Sequence, residues 1–188
     1  MRLFASLIAI ALIVSSCSSV SVAVDYDKTI DFSEYKTFNV KSPSVTEQTV
    51  DPERINKRNL EAINRNIKEN MLAKGYTEST NPDLWISYYV KVDTKQELRS
   101  TSYGYYGGNP YYYGPYYGYN YGYTDVSTIE YTEGTLIIDI VDAKKNLLVW
   151  QGVGTKTINE NKIDHSEDIR KTVGQIFYKY RFAPLPAE

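Results

Sequence analysis

One cysteine, one histidine and two methionines in 188 residues leave little material for thiol or metal chemistry. A single Cys excludes an intramolecular disulfide, and His165, between Asp164 and Ser166, lacks the partners that a catalytic or zinc-binding imidazole needs. An excess of positive charge is also missing. The 21 Lys+Arg and 23 Asp+Glu are mixed along the chain, which excludes the clustered basic face of a nucleic-acid binder. Apolar runs are short everywhere. The longest, Leu3 to Val14, falls well below the roughly 20 residues that cross a bilayer.

What surrounds that run is more specific. Arg2, the apolar stretch and Val14-Ser15-Ser16 stand directly ahead of Cys17, which is the layout of a bacterial lipoprotein signal. The expected mature chain begins at Cys17 after removal of residues 1–16, with a diacylglyceryl group on the thiol and an acyl chain on the amine. This covalent lipid would be the membrane contact, and no other cofactor and no metal are expected. Ser18 follows Cys17 where an Asp would signal inner-membrane retention, so the outer membrane is the expected address. Ser18-Ser-Val-Ser-Val22 has no acidic run of the kind that marks surface export, so the domain is expected to face the periplasm.

Tyrosine is the abundant residue, at 19, and eleven of these lie in one segment that contains only Tyr, Gly, Asn and Pro. They are Tyr103, Tyr105, Tyr106, Tyr111, Tyr112, Tyr113, Tyr116, Tyr117, Tyr119, Tyr121 and Tyr123. Interspersed Gly and Pro break any period of 2 or 3.6, so residues 101–123 are expected to form a long loop. Three readings of it stand open: a surface insertion, a stacking platform for sugar rings or a partner protein, and self-association through Tyr/Gly contacts.

The rest of residues 17–188 reads as one domain. Val22, Val24 and Tyr26 alternate with polar or small residues as in a half-buried strand, and Tyr35–Val40 is a second candidate. Asp51-Pro52 is the expected start of a helix whose stripe is Leu60, Ile63, Ile67 and Met71, with Gly75 as its stop. Leu84, Ile86, Tyr88, Val90 and Val92 alternate as a strand, Ile129–Asp142 returns as one strand or two, and Leu147–Val153 completes a hairpin. Asp164 with Glu167 forms a capping-box pattern ahead of Ile169, Val173, Ile176, Phe177 and Tyr180 on one helical face. The expected architecture is α+β: a mainly antiparallel sheet with both amphipathic helices on one face, a two-layer sandwich.

The blocks Val22-Ala-Val-Asp-Tyr26, Asp31-Phe-Ser-Glu-Tyr-Lys-Thr-Phe38, Lys74-Gly-Tyr76, Asn81-Pro-Asp-Leu84, Glu133-Gly-Thr-Leu-Ile-Ile-Asp139 and Leu148-Val-Trp150-Gln-Gly152 flank the Tyr/Gly segment in a telling order. In that order, behind a lipoprotein signal, they resemble the family called domain of unknown function 4136. The resemblance implies an envelope lipoprotein and supplies no catalytic residues.

The residues themselves offer no catalytic set. Asp139 and Asp142 fall on opposite faces if the strand continues, and Asp139 is expected to bond backbone amides. Gly152-Val-Gly154 is not followed by a helix, as a phosphate loop requires. Asp25, Asp27 and Asp31 lack the ligand spacing of an EF-hand. The expected function is therefore a non-enzymatic, lipid-anchored binding or structural module, with an envelope protein or peptidoglycan as partner. The alternative is a hydrolase or transferase acting on an envelope glycan or lipid, which would need two carboxylates meeting across a cleft.

Overall fold

Apolar alternation at period 2 and apolar stripes at period 3.6 meet in one core, seen in a computed structural model that describes residues 20–41, 56–103 and 123–184. Cys17, Asp51-Pro52 and Tyr105 to Tyr121 lie outside the described residues. The strands are β1 (Ser21–Tyr26), β2 (Thr37–Lys41), β3 (Thr77–Glu78), β4 (Leu84–Tyr103), β5 (Tyr123–Asp142) and β6 (Leu147–Ile158). Helix α1 (Lys57–Ala73) lies between β2 and β3, and α2 (Ser166–Lys179) follows β6.

All six strands form one sheet in the order β1-β6-β5-β4-β2-β3. The expectation of a mainly antiparallel sheet is corrected here, because the sheet is mixed. Strands β1, β6, β5 and β4 pair antiparallel, whereas β2 lies parallel to β4 and β3 parallel to β2. The cause is α1, which carries the chain from the end of β2 back to the start of β3 and β4, as a crossover between parallel strands must.

One sheet face supplies Phe38, Val40, Leu84, Ile86, Tyr88, Leu136, Ile138, Ile140 and Trp150 to the core. Leu60, Ile63, Ile67 and Met71 of α1 and Val173, Ile176 and Phe177 of α2 pack against them. Asn56 caps α1, its side chain accepting from the amide of Asn59 at 2.8 Å. The helix ends at Gly75, whose φ of 93° explains the glycine. For α2 the expected Asp164 cap moves by one residue. His165 is the N-cap and makes no side-chain capping bond, while Asp164 accepts from the amide of Ser166 at 2.9 Å.

Strands β4 and β5 pair without interruption from Leu84 opposite Asp142 to Tyr103 opposite Tyr123. Residues 101–103 and 123, expected within a loop, are paired as strand, and the rest of that expected loop lies outside the described residues. Pairing of β5 with β6 stops at Thr132 opposite Ile158. Beyond it, residues 95–103 and 123–131 run as a two-stranded ribbon among the described residues. Among the described side chains there, Leu98, Val126 and Ile129 are the large exposed apolar ones, and they make no sustained alternation.

Candidate functional site

Side-chain volume is distributed unevenly between the two layers. At the C-terminal ends of the helices, Phe32, Trp150, Phe177, Tyr180 and Phe182 interlock, with the rings of Phe32 and Phe182 stacked at 3.8 Å. Tyr76 and Tyr180 share a buried hydroxyl–hydroxyl hydrogen bond of 2.9 Å. At the N-terminal ends the sheet presents Val90, Val92, Gly134 and Leu136 beside Gly154, on which Ile176 and Thr172 of α2 rest. A cleft of about 410 Å³ remains between them and Asn59, Ile63, Ile169 and Thr172. That volume lies in the range of small-molecule sites, about 300–1,000 Å³, and the lining has their usual character of apolar walls with a few polar groups.

Two glycines on β6 lie beneath α2. A Cβ on Gly152 would stand 2.3 Å from Trp150 Cη2, and one on Gly154 would stand 2.8 Å from Ile176 Cδ1 and 3.0 Å from Thr172 Cγ2. The two glycines let α2 settle onto β6. They are strand residues under a helix, which agrees with the missing phosphate-loop context in the sequence.

Charge collects at the mouth around Asp168. Lys156 donates to one of its oxygens and Lys162 to the other at 2.6 Å, with His165 Nδ1 at 3.9 Å. Burial works against the charged carboxylate, but the two lysine hydrogen bonds prevail and bring Asp168 down to about 2. Thr132, also at the cleft, donates to Glu160. The site thus offers an apolar interior with cations and anions in balance at its entrance. Such an arrangement can receive the apolar part of a ligand.

Three other acidic side chains, Asp142, Asp139 and Asp83, serve the frame. Asp142 Oδ1 accepts from the amides of Lys144 and Lys145 at 2.8 and 2.9 Å, and its Oδ2 accepts from the Tyr35 hydroxyl at 2.9 Å. Burial opposes its ionisation, yet these bonds hold its pKa below the usual value. The role expected of Asp139 belongs to Asp142, for Asp139 accepts from the side chain of Gln151 at 2.7 Å. Asp83 accepts from the amides of Lys36 and Thr37 and from the Thr37 hydroxyl. Among the described residues no three His, Cys, Asp or Glu side chains are grouped to hold a metal ion, and no helix is long and apolar enough to cross a membrane.

Of the residues singled out in the sequence, His165 stands at the cleft mouth and Trp150 in the core. Tyr103 and Tyr123 close the β4–β5 ladder, and Cys17 and the other nine tyrosines of the segment lie outside the described residues. The cleft was not anticipated. Its signal was faint: Gly134, one small residue on the apolar face of an otherwise bulky strand.

The fold and site define an α+β domain in which two helices cover one face of a mixed six-stranded sheet and leave a cleft at one end. The chain belongs to the family described as a domain of unknown function (DUF4136), matched over residues 22–180. No curated protein matches. Among solved structures it is similar to a PDZ domain protein from Parabacteroides distasonis, at 17% identity and a TM-score of 0.53. That match covers 97% of this chain and 40% of the other, so the chain spans well under half of that protein. The PelC dodecamer from Paraburkholderia phytofirmans matches at 12% identity and a TM-score of 0.47, over 84% of this chain and 94% of that one.

Proposed function

We propose that the protein is a lipid-anchored, non-enzymatic binding module of the bacterial cell envelope, attached through Cys17 to the outer membrane and facing the periplasm. The observation that carries the binding role is the cleft of about 410 Å³, whose apolar walls lie behind a polar mouth. The lipid anchor rests on Arg2, the Leu3–Val14 run and the position of Cys17. In this reading the cleft takes the apolar body of an amphipathic ligand, and the tyrosine-rich segment beyond the ribbon contacts peptidoglycan or an envelope protein. Asp83 and Asp142, close together across the end of β4 and β5, favour a non-enzymatic reading because both are committed to backbone amides.

Two measurements test it. Mass spectrometry of the N-terminal peptide from cells should find Cys17 acylated, and an unmodified thiol would sink the anchor. The fluorescent probe ANS should bind the folded chain and be lost from Val92→Trp and Ile169→Trp, each of which fills the cleft from a different wall. Equal ANS binding by correctly folded variants would remove the cleft as the site.

A further inference from the structure

The outer edge of β4 is complementary to itself. β2 pairs with β4 only from Leu84 to Ser87, so beyond that point no strand covers this edge among the described residues. Along it, Asp93, Lys95, Glu97 and Arg99 share the face away from the helices, in the charge order minus, plus, minus, plus at a spacing of two. Lys95, Glu97 and Arg99 are exposed, as is Leu98, which is 74% accessible.

Antiparallel strands related by a two-fold axis normal to the sheet keep the same face up, so the axis must pass midway between a residue and its own copy. With the axis at Gln96, Lys95 stands opposite Glu97 of the second copy and Asp93 opposite its Arg99. Each of these pairings occurs twice by symmetry. Opposite charges directly across a ladder stabilise, and like charges there destabilise. An axis at Glu97 would set Lys95 against Arg99 and Glu97 against itself. An axis at Leu98 keeps Glu97 opposite Arg99 but leaves Lys95 and Asp93 facing uncharged residues, and an axis at Thr94 pairs Asp93 with Lys95 and Lys91 with Glu97 but leaves Arg99 facing Tyr89, next to the stretch that β2 occupies.

The other edge of the ribbon lacks this property. On β5, residues 123–131 contain Asp125 and Glu130 as their only charged residues, both of one sign. A charged edge strand is also a common guard against unwanted pairing. Such a guard needs only charge. The ordered alternation over Asp93–Arg99 supplies a specific partner as well, and a two-stranded ribbon is marginal in water by itself.

We propose that the partner of this edge is a second copy of the chain, docked antiparallel about Gln96 to make one continuous sheet through both protomers. This interaction is independent of what the cleft binds.

The test uses the full chain in detergent micelles, followed by sedimentation velocity over a concentration series, with circular dichroism to confirm folding. The parent should dimerise, and Lys95→Glu and Glu97→Lys should each weaken dimerisation by at least about tenfold, since each reverses two cross-strand pairs. An equimolar mixture of the two variants restores Lys–Glu pairing at both positions, and so does the double variant K95E/E97K. Both should dimerise like the parent. A monomeric parent, single variants that associate like the parent, or a folded mixture that stays monomeric would each overturn the proposal.

Discussion

The hydroxyl of Tyr35 donates to Asp142 at 2.9 Å and ties positions 107 residues apart, the approach to β2 and the turn between β5 and β6. Burial and the neighbouring carboxylate raise the pKa of Tyr35, so it remains a donor at any physiological pH. Tyr35→Phe leaves Asp142 with its two backbone amides and the Lys145 ammonium at 3.9 Å. The expected cost is about 1–2 kcal/mol, the scale of a hydrogen bond to a charged group. Urea unfolding of the variant against the parent measures it, and a cost below a few tenths would show that the bond is replaced by water.

The glycines of the sheet differ in what surrounds them. A Cβ at Gly152 meets the Trp150 ring at 2.3 Å and Ile176 at 2.6 Å, both held in the core. Gly152→Ala should therefore cost about 1–3 kcal/mol by overpacking. At Gly134 the nearest atom is the flexible end of Ile158, at 2.5 Å. Gly134→Ala should cost less and should narrow the cleft. Thermal unfolding with ANS titration reads both effects, and equal destabilisation of the two variants would contradict this packing.

Asp168 makes the cleft mouth sensitive to acid. Its folded pKa, about 2, lies below the ordinary 3.8, so the unfolded chain takes up its proton first as pH falls. The stability it contributes is complete above pH 3.8 and is lost as pH drops from there toward 2. Exposure of the side chain discounts the size to about 1 kcal/mol. Asp168→Asn should flatten the stability profile in this window and also lower stability at neutral pH, because Lys156, 15% exposed, loses its partner. An unchanged acid limb in the variant would remove Asp168 as the source.

Tyr76 and Tyr180 join the two helix ends through one buried hydroxyl pair. Tyr76→Phe and Tyr180→Phe should each cost about 1–2 kcal/mol, because each leaves the opposite hydroxyl without its partner. Removing both costs less than the sum, with a coupling of about 1 kcal/mol. Additive effects in the double variant would show that the hydroxyls do not depend on each other.

Local patterns made much of the fold legible. The alternation of Leu84, Ile86, Tyr88, Val90 and Val92 and the stripe of Leu60, Ile63, Ile67 and Met71 both bury the faces they imply. The parallel placement of β2 was hidden because five residues alternate in the same way whichever direction their neighbour runs. The outer half of the β4–β5 ribbon was hidden too. Ser, Thr and charged residues there show no apolar period, and cross-strand backbone hydrogen bonds hold it as strand. The cap of α2 shifted from Asp164 to His165 because Asp164 bonds the Ser166 amide from one residue further out.

The sequence alone determined the α+β content, the two amphipathic helices and the family, since each follows from residue types at local spacing. Tertiary structure decided the sheet order, the role of Asp142 and the cleft. The sheet order depends on which strands α1 bridges, and Asp142 takes its role from Tyr35, brought to it from 107 positions away. The cleft is a space left between the sheet and the N-terminal ends of two helices, and an unfilled space has no signature until the elements around it are assembled.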